Sequence, residues 1–244
     1  MISDNFLLST YKKILGVALE SKYEFLGFDQ IGQESSPYSC LLRHDVDSEL
    51  WNCGPMAEIE AKLGISATYF VMLRSTSYNL FCLESKNAIE RLLDQGHHIG
   101  LHLMGELYEE YDAELLKKKI LAEVDTVQCE LGINIKTVSF HHPGEAVLNN
   151  DIYIDSLVNT YNRIQMADYF YVSDSNMIWQ HEHPEEIFAR RLYPRLHLLI
   201  HPMWWTLESM SLEDKWLKVL EQNRKAIIDH WRKRERTLKD ISLA

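Results

Sequence analysis

Leu41-Leu42-Arg43-His44-Asp45-Val46-Asp47 is the stretch on which the fold turns. It follows a turn-rich link (Gly32-Gln33-Glu34-Ser35-Ser36-Pro37), begins apolar and ends in a cluster of charge. In a strand the side chains alternate between faces, so Arg43, Asp45 and Asp47 share one. Two carboxylates two residues apart on one face repel each other. The arrangement is stable when something positive sits between them or when one of them holds a proton. A metal ion is the simplest answer, and its other ligands must come from elsewhere in the chain.

Working outward, the opening strand spans about Ser39 to Val46. An amphipathic helix precedes it from Asp4 to Glu20, with Phe6, Leu7, Tyr11, Ile14 and Leu15 on one side. After it, Gly54-Pro55 breaks the chain before a helix from Met56 to Leu63, ended by Gly64. Ile65 to Leu73 reads as a buried strand, Glu84 to Gln95 as a helix closed by Gly96, and His97 to Leu103 as a short strand. Asp112 to Leu131 is the clearest helix, with Leu115, Leu116, Ile120, Val124 and Val127 in period and Gly132 as its stop. Lys136 to Phe140 is the next strand. Asp168 to Ser173 and Ile187 to Arg191 are weaker strand candidates. Leu196 to Ile200 is a good one, and Glu213 to Arg236 is a final long helix. Strands alternating with helices imply a parallel sheet closed or nearly closed into a barrel.

The chain has 244 residues, 46% of them hydrophobic, enough for one large domain with a full core. No linker marks a second domain, so residues 1–244 are expected to form one unit, with a core at about 38–205 and helices at both ends packed on it. A net charge of −11 disfavours nucleic acid and anionic membranes as partners and leaves a small-molecule or glycan substrate open. The first residues lack the basic and apolar segments of a signal peptide, and no apolar run reaches membrane length. Four cysteines (Cys40, Cys53, Cys82, Cys129) form no CxxC pair and read as reduced, mostly buried thiols of a cytoplasmic protein.

Four of these strands end in ionisable residues: Arg43/Asp45/Asp47, His98/His102, His141/His142 and His201. In a β/α barrel the C-terminal strand ends share one rim, where active sites sit. Aspartate with histidine is a ligand set for a divalent metal, with zinc the first expectation and cobalt, nickel, manganese or iron as alternatives. Such a metal activates water and polarises a carbonyl. A carboxylate off the metal then serves as base, and a histidine opposite serves as acid.

Five segments in order carry a resemblance. Arg43-His44-Asp45-Val46-Asp47, Ala67-Thr68-Tyr69-Phe70, Gly96-His97-His98-Ile99-Gly100-Leu101-His102, Ser139-Phe140-His141-His142-Pro143 and Leu199-Ile200-His201-Pro202 resemble the ordered motifs of the polysaccharide deacetylase superfamily (carbohydrate esterase family 4). The likeness spans Leu41 to Trp205 and is strongest to a divergent, cytosolic-looking branch found with surface-polysaccharide and O-antigen biosynthesis genes. It implies an α/β fold, a distorted (β/α)7 barrel, and metal-dependent removal of an N-acyl group. By position it implies Asp45 as the catalytic base, Asp47 and His102 as metal ligands, and His201 as the acid that protonates the leaving amine. Two positions depart from the family pattern. Its second metal histidine lies four residues after the first, where this chain has Glu106. Its third motif carries an arginine that orients the base, where this chain has His141. His141 is favoured over Glu106 as the third ligand, with orientation of Asp45 as its other possible role.

Arg43 is read as a substrate contact or a structural ion pair, and His142 as a substrate contact at the rim. Asp174 is placed near a strand end as support for substrate or for the catalytic histidine. Trp205, with Trp204 and Trp179, is a candidate for sugar stacking. His44 and His97 face away from the acidic row and read as structural. The function expected is hydrolysis of an N-acyl, first an N-acetyl, group from a sugar or sugar-linked intermediate of surface-polysaccharide synthesis. The rivals are a deformylase or cyclic-amide hydrolase on the same scaffold, and a metal-free carbohydrate-binding protein.

Overall fold

A computed structural model describes residues 6–48, 50–109 and 112–238. In chain order the elements are α1 (Leu8–Glu20), β1 (Glu24–Leu26), β2 (Ser39–Val46), α2 (Gly54–Lys62), β3 (Thr68–Val71), α3 (Leu83–Asp94), β4 (His98–Met104), α4 (Ala113–Leu131), β5 (Thr137–His141), α5 (Glu145–Asn150), β6 (Val158–Asn159), β7 (Phe170–Ser173), α6 (Pro184–Arg190), β8 (Arg195–Ile200) and α7 (Leu212–Arg234). The strands form one sheet in the order β6-β5-β4-β3-β2-β8-β7, with every ladder parallel. β1 pairs with the first half of β2, from Glu24↔Ser39 to Leu26↔Leu41, and β3 with the second half, from Arg43↔Thr68 to Val46↔Val71. The sheet curls into a half-barrel, a distorted (β/α)7 barrel.

β2 is buried along its whole length and lies inside this path, between β3 and β8. Its alternation divides the protein into two interiors. Cys40, Leu42 and Val46 point outward into the main core, with Tyr11, Ile14 and Leu15 of α1 and Met56 and Ala57 of α2. Leu41 points inward and joins Leu26, Phe28, Phe70 and Tyr169 in a separate apolar plug. A Cβ on Gly100 of β4 would meet the Phe70 ring at 2.6 Å, so a glycine is required for the plug to close. Arg43 stacks on this plug, 5.2 Å from the Phe70 centroid, and crosses the barrel to donate to Thr160, just past β6, at 3.1 Å. The inward row of β2 thus runs from apolar floor to charged rim.

On the outer face, Glu60 of α2 is fully buried and is held by residues of α1, β2 and β3 and by His97 just before β4. Tyr11 and Tyr69 donate to it at 2.5 and 2.9 Å, His44 lies at 2.9 Å and His97 at 3.6 Å. Burial raises the Glu60 pKa, but the two imidazoles and the hydrogen bonds outweigh it and hold the carboxyl low. His44 and His97 therefore have a structural environment, away from the barrel interior.

Several elements differ from the sequence expectation. Ile187–Arg191, expected as a strand, lies mostly in helix α6: Pro184 opens it, the His183 side chain caps it, and Ile187 and Phe188 are buried as neighbours on one helix face. Gly54-Pro55 begins α2 rather than breaking the chain before it, since proline is tolerated in a first turn. α1 begins at Leu8, and Asp4 and Asn5 of the expected helix lie outside the described residues. β1, α5 and the two-residue β6 had no periodicity to mark them. The cysteines are all free, as expected, but only Cys40 and Cys53 are buried. Among the described residues no helix is long and apolar enough to cross a membrane.

Candidate metal centre and catalytic cleft

The C-terminal ends of β2, β4, β5 and β8 open into a cavity of about 550 Å³. Asp45, Asp47, His102, His141, His142 and His201 all line it. Strand alternation aims them there: Asp45 follows Arg43 on the inner face of β2, His102 follows Gly100 on β4, and His141 follows Ser139 on β5.

Asp47 sits at the centre. Its Oδ1 lies 3.3 Å from His102 Nε2 and 3.3 Å from His141 Nδ1, and donor atoms of the three residues all fall within 4.8 Å of one another. Neither Asp47 Oδ1 nor His102 Nε2 has a hydrogen-bond partner, although both atoms are buried. Two ligands about 2.0–2.1 Å from a tetrahedral metal stand about 3.3–3.4 Å apart. The spacing and the two orphaned atoms fit a divalent cation. Ser139 Oγ meets His102 Nδ1 at 2.7 Å and so leaves Nε2 turned toward Asp47. Burial raises the Asp47 pKa, but His102 and His141 overcome it and hold the carboxyl well below the usual range. The facing carboxylate in turn raises the pKa of His141. Glu106 is exposed in the turn Gly105–Tyr108 and does not join the group.

Gly105 has a specific place here. A Cβ at this position would collide first with the His142 carbonyl oxygen and would lie 2.8 Å from the His141 carbonyl oxygen. The glycine lets the end of β4 pass under the His141-His142 backbone, where His142 adopts a left-handed φ of 45°. That turn sends His141 toward Asp47 and leaves His142 on the cavity wall.

Asp45 is bound by its own strand neighbour. Arg43 Nε donates to Oδ1 at 2.7 Å and a terminal nitrogen donates to Oδ2 at 2.8 Å. Burial raises the Asp45 pKa, whereas Arg43, then His102 and His201, lower it, and the net shift is downward. Each carboxylate oxygen retains a lone pair toward the cavity. Arg43 itself is 1% exposed and does not line the cavity, so the structure places it as an ion pair rather than at a substrate contact. Arg43, and not His141, is the residue hydrogen-bonded to Asp45.

His201 follows β8, the strand beside β2, with its Nε2 3.9 Å from Asp47 Oδ2. Its Nδ1 meets Asp174 Oδ1 at 2.6 Å, and its backbone N–H also donates to Asp174. Burial lowers the His201 pKa, but the Asp174 carboxylate outweighs it and carries the group up to about 9. Asp174 is fully buried and also accepts from Trp205 Nε1 at 2.9 Å. Asp174 thus supports the histidine and does not reach the cavity. Trp205 is 5% exposed, packs on Phe6 and Tyr11, and is absent from the wall where stacking was expected.

Of the expected aromatics Trp204 does line the cavity, and Tyr161, Tyr171 and Trp216 join it there. Tyr171 lies on the inward row of β7, which alternation alone could have flagged. Trp216 comes from α7, and no local signal ties that helix to the rim. His98 lies at the opposite end of the barrel, beside Asp29 and Lys136.

No family model matches this chain, and no curated protein matches it. Solved structures similar to it include a Streptococcus pyogenes deacetylase in complex with acetate (14% identity, 77% of this chain and 87% of that one, TM-score 0.49). Others are the Xyl-CE4 domain of a multidomain xylanase from the hindgut metagenome of Trinervitermes trinervoides (11%, 78% and 83%, TM-score 0.44) and a CE4 family pseudoenzyme from Bacillus anthracis (13%, 77% and 62%, TM-score 0.45). These are distant similarities, and the chemistry below follows from this chain's own geometry.

Proposed function

We propose that this chain is a metal-dependent amidohydrolase of the polysaccharide deacetylase type, removing an N-acyl, first an N-acetyl, group from a sugar or sugar-linked intermediate of surface-polysaccharide synthesis. The observation that carries the reading is the convergence of three units on one cavity: Asp45 with Arg43, Asp47 with His102 and His141, and His201 with Asp174. A divalent metal, zinc first, held by Asp47, His102 and His141 would supply Lewis-acid polarisation of the acyl carbonyl and a lowered pKa for the attacking water.

The protein's own groups divide the proton transfers. Asp45, kept ionised by Arg43, accepts the proton of the attacking water. His201, kept protonated by Asp174, delivers a proton from Nε2 to the leaving nitrogen. The two extend from the adjacent strands β2 and β8, so that one can take the proton of the water while the other meets the leaving nitrogen of the tetrahedral adduct. No lysine or arginine lines the cavity among the described residues, while tyrosine, tryptophan and asparagine do. That lining favours a neutral ring with hydroxyls over a phosphorylated or acidic one.

The test is acetate release from a panel of N-acetylated sugars by metal-reconstituted protein, with metal content read in parallel. Asp45→Asn is expected to keep its metal and lose turnover; Asp47→Ala is expected to lose both. Equal metal content and equal activity in the wild type and both variants would sink the assignment.

A further inference from the structure

Helix α7 is fixed to the body along one side only. Lys215 is buried and donates to the Trp204 carbonyl, Val219 is buried beside it, and Trp216 packs edge-on against Trp204 at 5.4 Å. A second side remains exposed. Leu212 (51%), Trp216 (45%), Leu220 (61%), Ile227 (61%) and Trp231 (49%) are large, apolar and open to solvent. At 3.6 residues per turn these five fall within an arc of roughly 100° and run the length of the helix.

This stripe has an internal symmetry. Reversing the helix about the point between Asn223 and Arg224 carries Trp216 onto Trp231 and Leu220 onto Ile227. The same reversal carries Glu213 onto Arg234 and Asp214 onto Lys233. Trp216 and Leu220 thus meet apolar residues and Glu213 and Asp214 meet opposite charges, while Leu212 falls opposite Glu235 and Lys215 opposite Arg232. We propose that α7 pairs antiparallel with α7 of a second copy of this chain, about a twofold axis at Asn223–Arg224.

A twofold interface needs a surface complementary to itself, and this helix has one. The five side chains expose roughly 500 Å² of apolar surface, a core for the roughly 800 Å² per partner of a stable interface, with the charged pairs as its rim. A lipid surface fits less well. The chain as a whole carries a net charge of −11, and an antiparallel pair sets the basic C-terminal end of the helix (Arg232, Lys233, Arg234) against the acidic Glu213 and Asp214 of the other copy. Trp216, Leu220 and Asn223 also line the cleft. Pairing would set the partner's Ile227 and the partner's Trp231 beside them, so that the second copy extends the cavity wall. The pairing stands independently of the chemistry proposed above.

Light scattering coupled to size exclusion reads the mass directly. The wild type is expected at twice the 28.6 kDa of one chain. Ile227→Lys and Trp231→Glu should give monomers, with circular dichroism confirming the fold. Glu213→Arg should raise the dimer dissociation constant roughly tenfold or more, and the exchange Glu213→Arg with Arg234→Glu should restore it. Asn223→Cys should crosslink to itself across the axis under oxidation. A monomeric wild type, a dimer indifferent to Ile227→Lys, or an uncompensated charge exchange would each overturn the proposal. So would a monomer that floats with phosphatidylglycerol vesicles, which would assign the stripe to a bilayer.

Discussion

Gly105→Ala is the substitution that most sharply tests the metal centre proposed for this chain. The added Cβ would lie 2.8 Å from the His141 carbonyl oxygen. A carbon–oxygen contact relaxes to about 3.3 Å, and the His142 carbonyl oxygen lies closer to the added Cβ than that of His141, so the two backbones must part by more than about 0.5 Å. Metal–ligand distances hold within about 0.2 Å, so His141 cannot absorb that movement and remain in place against Asp47. Displacing a group that positions a ligand costs about 10–100-fold in metal affinity, or about 1.4–2.7 kcal/mol, and the overpacking itself costs the apo protein about 1–3 kcal/mol. The assay is zinc competition against a chelator, together with thermal melts with and without metal. Glu106→Ala, one residue away but exposed, should leave both unchanged. A Gly105→Ala protein that binds zinc as tightly as the wild type would refute the place given to His141.

Other substitutions test the remaining parts. Arg43→Met strands Asp45 as a buried charge; it should cost about 3–5 kcal/mol of stability and move the acidic limb of turnover to higher pH, because the pKa that Arg43 held down rises. Asp174→Asn removes what holds the His201 pKa at about 9. The stability from that raised pKa is present below the ordinary histidine value and lost as pH rises through the folded one, so the variant should be flatter in this window, with its alkaline limb at lower pH. Tyr69→Phe takes a donor from buried Glu60 and should cost about 1.5–3 kcal/mol in thermal unfolding while leaving zinc affinity unchanged.

β2 was readable to its last residue because alternation and charge agreed along it, and one strand buried on both faces fixes the direction of everything paired with it. The convergence of strand ends then placed Asp47, His102, His141 and His201 at one rim. What resisted reading depended on contacts between distant segments. Ile187 and Phe188 are apolar neighbours in either a strand or a short helix, and only Pro184 and the His183 cap decide between them. Asp174 and Trp205 were found as residues, but their orientation toward His201 rather than the cleft is a matter of tertiary placement. Arg43 had an ion pair among its expected roles, and that pairing leaves it no face for substrate. Trp216 reached the cleft from a helix whose sequence describes only its own two sides.

The central claim is that Asp47, His102 and His141 hold one divalent metal without Glu106. Anomalous diffraction at the zinc edge, from crystals of the zinc-loaded protein, tests it most directly. The account predicts a single peak within coordination distance of Asp47, His102 Nε2 and His141 Nδ1. A peak coordinated by Glu106, or no peak in a cleft folded as described, would contradict it.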